Sequence, residues 1–121
     1  LHYWSVQLTR EASRDEVLDA FRTSSRIALI RISDGLSAIN SVKELMADLG
    51  RPHDSLYEVA LWEDMLKVQG NELFYAYMVD NQAIVVPETI DAIRALTGAE
   101  PDAETSIRDT NDSLGIGSLG L

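Results

Sequence analysis

Met65-Leu66-Lys67-Val68-Gln69-Gly70-Asn71-Glu72-Leu73-Phe74-Tyr75-Ala76-Tyr77-Met78-Val79 contains two runs of strand-forming residues separated by Gly70-Asn71. Aromatic and β-branched side chains suit a pleated, half-buried surface. A two-residue Gly-Asn break is the chemistry of a tight hairpin, so the runs predict an antiparallel pair. Leu56 to Trp62, just upstream, reads as a third strand of the same sheet.

Outward from this hairpin the pattern changes period. Tyr3 to Thr9 alternates and reads as a strand. Ser13-Arg14-Asp15-Glu16 is a capping box, with Ser13 capping and Glu16 reaching back, and it opens a helix with Val17, Leu18 and Phe21 on one stripe. Arg26 to Ile32 is rich in β-branched residues and reads as a central strand, turned by Ser33-Asp34-Gly35. A second helix runs from about Ala38 to Leu49, with Ile39, Val42, Leu45, Met46 and Leu49 on one face. Gly50 sits at its cap and Pro52 stops it. Pro87 suits the first turn of a helix that reaches Leu96 and ends at Gly98. Pro101 starts another, with Asp102 and Glu104 at its positive end and Ala103, Ile107 and Leu114 on one face. The expected fold is α+β, a mostly antiparallel sheet of about five strands with helices packed on one face. Residues 1–114 form one domain, and the glycine-rich 115–121 reads as a flexible tail.

Composition limits the chemistry. With 121 residues the chain fits one domain. It has no cysteine, which excludes a disulfide scaffold, a thiolate metal site and a cysteine nucleophile within these residues. No metal site is expected. The net charge of −10 repels phosphate and argues against a nucleic-acid partner. Eight of the ten basic residues are arginine, and only Lys43 and Lys67 are lysine. A dispersed acidic surface this poor in lysine suits high intracellular salt, which screens carboxylate repulsion. No apolar window of about 18 residues predicts a membrane span, and the N-terminus does not read as a signal peptide.

There is no Gly-x-Gly-x-x-Gly, phosphate-binding P-loop or HExxH motif. The two histidines, His2 and His53, lie far apart in sequence. Arg51, in Arg51-Pro52-His53-Asp54, suits an anion by chemistry, but a helix C-terminus is the wrong end of the dipole for one, so capping of the last helix carbonyls is the expected role. Asp80-Asn81-Gln82 at a strand end reads equally as a turn or as ligand contacts. Trp62, Phe74, Tyr75 and Tyr77 read as core and subunit interface; a base-stacking platform would need a basic surround.

Several segments together resemble one family. Asn71-Glu72-Leu73-Phe74-Tyr75 is similar to its Asn-Glu-Leu-aromatic strand. Val85-Val86-Pro87-Glu88-Thr89-Ile90-Asp91-Ala92-Ile93-Arg94-Ala95 resembles its Val-Pro-Glu-Asn-Ile-Asp-Ala-Ile-Arg-Ala helix. Ser106-Ile107-Arg108-Asp109-Thr110-Asn111-Asp112-Ser113-Leu114-Gly115-Ile116 resembles its closing Ser-Ile-x-x-Thr-Asn-x-x-Leu-Gly-Ile. Leu49-Gly50-Arg51-Pro52 and Leu56-Tyr57-Glu58-Val59-Ala60 also fit. The family is the archaeal type II phosphorylating glyceraldehyde-3-phosphate dehydrogenase, and the resemblance covers its C-terminal part. It implies that an NAD(P)-binding domain and the catalytic cysteine lie upstream of Leu1. The chain would then be a fragment, inactive by itself.

The reaction implied is thiolate attack on an aldehyde, hydride transfer to NAD or NADP, and release of the acyl group to inorganic phosphate, with a histidine as base. Leu1-His2-Tyr3-Trp4 resembles the family's Met-His-x-His segment, with Trp4 in place of the second histidine, which makes His2 the candidate base. Asp80-Asn81-Gln82 resembles its His-Gln-Glu, which puts Asn81 near the nicotinamide and Asp80 in place of the histidine. Arg51-Pro52-His53 departs from its Arg-Pro-Arg. The resemblance further implies a small-molecule substrate, a tetramer at full length and a cytoplasmic location. Two other readings are a stand-alone α+β oligomerisation or interaction domain, and the analogous domain of another semialdehyde dehydrogenase.

Overall fold

A computed structural model describes residues 1–117. Of the 115–121 tail, Ser118 to Leu121 lie outside the described residues. The strands are β1 (His2–Gln7), β2 (Ile27–Ile30), β3 (Val59–Trp62), β4 (Lys67–Gln69) and β5 (Glu72–Met78). The helices are α1 (Arg14–Arg22), α2 (Ile39–Asp48), α3 (Val85–Thr97) and α4 (Ala103–Leu114). None of the described helices is long and apolar enough to cross a membrane.

The expected hairpin forms, with Lys67 opposite Phe74 and Gln69 opposite Glu72. Of its two central residues only Gly70 takes a positive φ, 61°, which glycine adopts without a Cβ clash. β5 organises the sheet. One edge pairs antiparallel with β1 from His2↔Tyr77 to Gln7↔Glu72. The other pairs with β4 and, at Ala60↔Met78 and Leu61↔Tyr77, with β3. β3 also pairs with β2 in parallel, from Ile27↔Val59 to Ile30↔Trp62. Parallel neighbours need a crossover, and α2 lies in it. The result is the expected α+β architecture, a five-stranded, mostly antiparallel sheet.

Alternation along the strands divides the core in two. Ile30, Ala60, Trp62, Ala76 and Met78 pack with Val42 and Met46 of α2. Leu61 and Leu73, with Ile27, Leu29, Tyr75 and Tyr77 beside them, pack with Val17 and Leu18 of α1. Helices therefore cover both faces instead of the single face expected. Each fully buried large apolar side chain contributes roughly 1.5–3 kcal/mol. The buried Trp62 indole also needs an acceptor, and it donates to the Leu36 carbonyl at 2.7 Å.

The helix ends follow local chemistry. Ser13 accepts from the Glu16 amide at 3.1 Å, while the Glu16 carboxylate, expected to reach back, pairs instead with Arg10. Asp102 caps α4 by accepting from the Thr105 amide at 3.0 Å, and Gly98 ends α3 at φ 70°.

Four other expectations are corrected. β2 is an edge strand, not a central one. Its apolar run reflects cover on both faces by α1 and α2, which a central strand also has. Ile39 and Leu49, expected on the buried stripe of α2, are exposed. In α4, Ala103 and Ile107 face solvent, and the helix buries Ser106, Thr110 and Asn111 instead. Charged groups across from α4 require that polar face. Arg51, expected to cap α2, gives its guanidinium to Glu58, at 2.6 and 2.8 Å.

This Arg51–Glu58 pair is buried, with side chains 5% and 1% exposed. Arg51 also donates to the Gly115 carbonyl at 3.0 Å, so the pair ties the end of α2 to the end of α4. Bidentate geometry offsets part of the desolvation of both charges. Arg51→Met should therefore lower the unfolding free energy by about 3–5 kcal/mol, because it strands a buried carboxylate. Adding Glu58→Leu should recover most of that loss. Urea denaturation measures both, and a double variant no more stable than the single one would contradict this account.

Candidate functional site

At the end of β5 the chain leaves the sheet and turns into α3. Asp80 makes that turn. One carboxylate oxygen accepts from the amides of Gln82 (3.1 Å) and Ala83 (3.3 Å), and its carbonyl accepts from Ile84 at 2.8 Å. The other carboxylate oxygen accepts from Lys43 of α2 at 2.8 Å. Lys43 reaches across a cleft, and its ammonium also donates to the Asp54 carbonyl at 2.6 Å. The cleft has a volume of about 620 Å³. Ile39, Met78 and Val86 supply apolar lining, while His53, Ser55, Asn81 and Gln82 supply polar groups. An apolar pocket with a few convergent polar groups is the usual form of a small-molecule site.

Asn81 therefore lines a cleft, as a ligand-contacting residue would. Its side chain is exposed and bonds to no other described residue. His53, opposite, is exposed and holds φ 54° and ψ 26°. His2 is elsewhere. It is exposed on β1 and stacks on the Tyr77 ring at 5.0 Å, and the Tyr77 hydroxyl accepts from the Trp4 indole at 3.1 Å. Tyr77 packs on the α1 side of the sheet, whereas Met78 and Lys43 belong to the α2 side. His2 and Asn81 thus share one end of the sheet, because His2 pairs with Tyr77, but they do not line one cleft.

Lys43 was missed by the motif reading. Its signal in the sequence is scarcity, since only Lys67 shares its type. The anion-binding option for Arg51 is closed by Glu58, which takes both of its terminal nitrogens.

The two longest segments of resemblance meet each other. Asp91 of α3 accepts from Ser106 (2.7 Å) and Thr110 (2.8 Å) of α4 on one oxygen, and from Arg26 (2.6 Å) on the other. Arg94 donates to Thr110 at 2.6 Å, and Arg26 also reaches Glu88 and Asn111. Burial by itself would raise the Asp91 pKa. The hydrogen bonds from Ser106, Arg26 and Thr110 outweigh burial and hold it below the usual value. These residues form a structural clasp between α3, α4 and the start of β2.

Nearly the whole chain is similar to one third of several archaeal glyceraldehyde-3-phosphate dehydrogenases. The relative from Methanobrevibacter smithii is 40% identical over 115 residues, 95% of this chain and 34% of the relative. Methanopyrus kandleri has one 40% identical over 116 residues, 96% of this chain and 33% of the relative. The Metallosphaera sedula relative is 38% identical over 117 residues, 97% of this chain and 34% of the relative. No family model matches the chain. The chain spans about a third of the length of these curated relatives.

The electrostatics of the cleft can be tested. Burial would raise the Asp80 pKa, but Lys43 and the amides of Gln82 and Ala83 outweigh it and bring it below the ordinary carboxylate value. A depressed folded-state pKa stabilises the fold above the unfolded value, about 3.9, and that contribution is lost as pH falls through the folded value. Lys43→Met should move the Asp80 carboxyl titration, followed by carbon NMR, upward in pH. An unchanged midpoint would assign the shift to the turn amides and remove Lys43 from the account.

Proposed function

We propose that the chain is the C-terminal catalytic-domain part of an archaeal-type (type II) phosphorylating glyceraldehyde-3-phosphate dehydrogenase, from a salt-adapted archaeon. The supporting observation is 38–40% identity, over 95–97% of this chain, to archaeal proteins named glyceraldehyde-3-phosphate dehydrogenase. The full-length protein would convert glyceraldehyde 3-phosphate, inorganic phosphate and NAD or NADP to 1,3-bisphosphoglycerate, the reduced cofactor and a proton, as a cytoplasmic tetramer. The cysteine nucleophile and the dinucleotide-binding unit would come from sequence outside these residues.

Within this chain, Asn81 suits a carboxamide. Its own amide is exposed, unclaimed by other described residues and next to the apolar Met78 and Val86. NAD(P), when bound, supplies the hydride acceptor. His2 takes the proton from the reacting oxygen, and its exposure leaves the imidazole open to a substrate. On this reading the substrate has to reach from the Asn81 cleft round the shared end of the sheet to His2.

The test is a chimaera in which this chain replaces the matching third of the Methanobrevibacter smithii protein. It should reduce NAD(P) with glyceraldehyde 3-phosphate only when phosphate is present. His2→Asn should then lower kcat by a factor of about 10²–10⁴. The 121-residue chain by itself should show no turnover. A folded chimaera without activity, or an active isolated chain, would overturn the reading.

The salt-adapted origin rests on the net charge of −10 and the two lysines. Melting temperature should rise steeply into molar KCl as carboxylate repulsion is screened. A flat or falling curve would remove that part of the proposal.

A further inference from the structure

Lys43 joins two segments that are otherwise separate in the sequence and on opposite walls of the Asn81 cleft. One wall is the Pro52–Asp54 turn, and the other is the Asp80 turn into α3. We propose that Lys43 is a positioning residue: its ammonium, bonded at once to the Asp54 carbonyl and the Asp80 carboxylate, fixes the separation of His53 from Asn81 and so the width of ligand the cleft admits. The proposal rests on the reading of this cleft as part of the catalytic region.

The backbone of the first wall supports it. His53 and Asp54 have φ values of 54° and 55°, and among the described residues they are the only non-glycine positions with positive φ. Non-glycine residues adopt that region rarely, His and Asp more readily than most, and two in succession are kept where the surroundings hold them. Local bonds hold one side of the turn, since the Asp54 amide donates to the Arg51 carbonyl (3.1 Å) and the Ser55 amide to the Pro52 carbonyl (3.1 Å). The Asp54 carbonyl is not used by those bonds and takes Lys43 at 2.6 Å. The second wall has matching logic. One oxygen of Asp80 is spent on the turn amides, which leaves the other for Lys43. A single charged group thus satisfies an acceptor on each wall. With its side chain 34% exposed, it is open enough to respond to what enters the cleft.

Amide nitrogen–proton NMR spectra of the 121-residue chain test the coupling without reference to turnover. Asp80→Asn keeps an oxygen for the Gln82 and Ala83 amides and removes the charge that holds Lys43. It should displace the amide signals of His53, Asp54 and Ser55 on the far wall. In a Lys43→Met background the same Asp80 substitution should leave those three signals where they are. Lys43→Arg keeps a cation with several donors and should restore the displacement. Lys43→Gln serves the same comparison should the methionine variant fail to fold, with Leu61 and Met46 as core reporters of an intact fold. Equal displacement with and without Lys43, or none with Lys43 present, would overturn the proposal. Because no activity is measured, such a failure is distinct from failure of the dehydrogenase reading.

Discussion

Both edges of β5 are paired, β1 on one side and β3 with β4 on the other. A strand enclosed in this way has its backbone groups spent in the ladder and cannot slide, since a one-residue slip would exchange its two faces. Those faces are committed. Leu73, Tyr75 and Tyr77 serve the α1 side, while Ala76 and Met78 serve the α2 side. The register then dictates the rest. His2 must stand opposite Tyr77, and the chain must leave the sheet at Asp80, beside Lys43.

Features decided by local chemistry were legible in the sequence. The Gly70-Asn71 hairpin, the Ser13 cap and the Gly98 helix end each depend on a few neighbouring residues, and each formed as expected. Features decided across the fold were not. β2 reads as central because an apolar run reports cover on its faces and says nothing of its edges. The inward face of α4 was misread because apolar spacing assumes that the neighbouring helix presents apolar groups. Here α3 presents Asp91 and Arg94, so Ser106 and Thr110 turn inward. For the candidate site, His2 and Asn81 became candidates through resemblance, since a lone histidine and a turn amide carry little signal. Lys43 escaped because its role depends on two acceptors that lie 11 and 37 positions away along the chain.

Polar groups thus do much of the assembly outside the two apolar layers. Arg51 with Glu58 ties α2 to the end of α4, and Arg26 with Asp91 ties β2 to α3. Buried ion pairs add little net stability over apolar replacements of the same shape, but their geometry is demanding. Bidentate and multiply bonded pairs of this kind allow few relative orientations of α3, α4 and the sheet. No buried side-chain nitrogen or oxygen among the described residues lacks a partner, as such a polar interior requires.

The pairing of β1 with β5 also spans the longest stretch of chain in the sheet. The two strands of the β4–β5 hairpin meet across a two-residue turn, whereas β1 finds its place only when His2 reaches Tyr77, most of the chain away. Closing so long a loop carries a larger entropy loss than closing a hairpin, and that loss is met only after local contacts exist. β1 is therefore the strand whose pairing carries the largest loop-closure entropy in the sheet. The imidazole that this strand carries is held by the strand pairing of greatest sequence separation. What places His2 is thus the costliest closure in the sheet, whereas the contacts of Lys43 at the Asn81 cleft span only 11 and 37 positions.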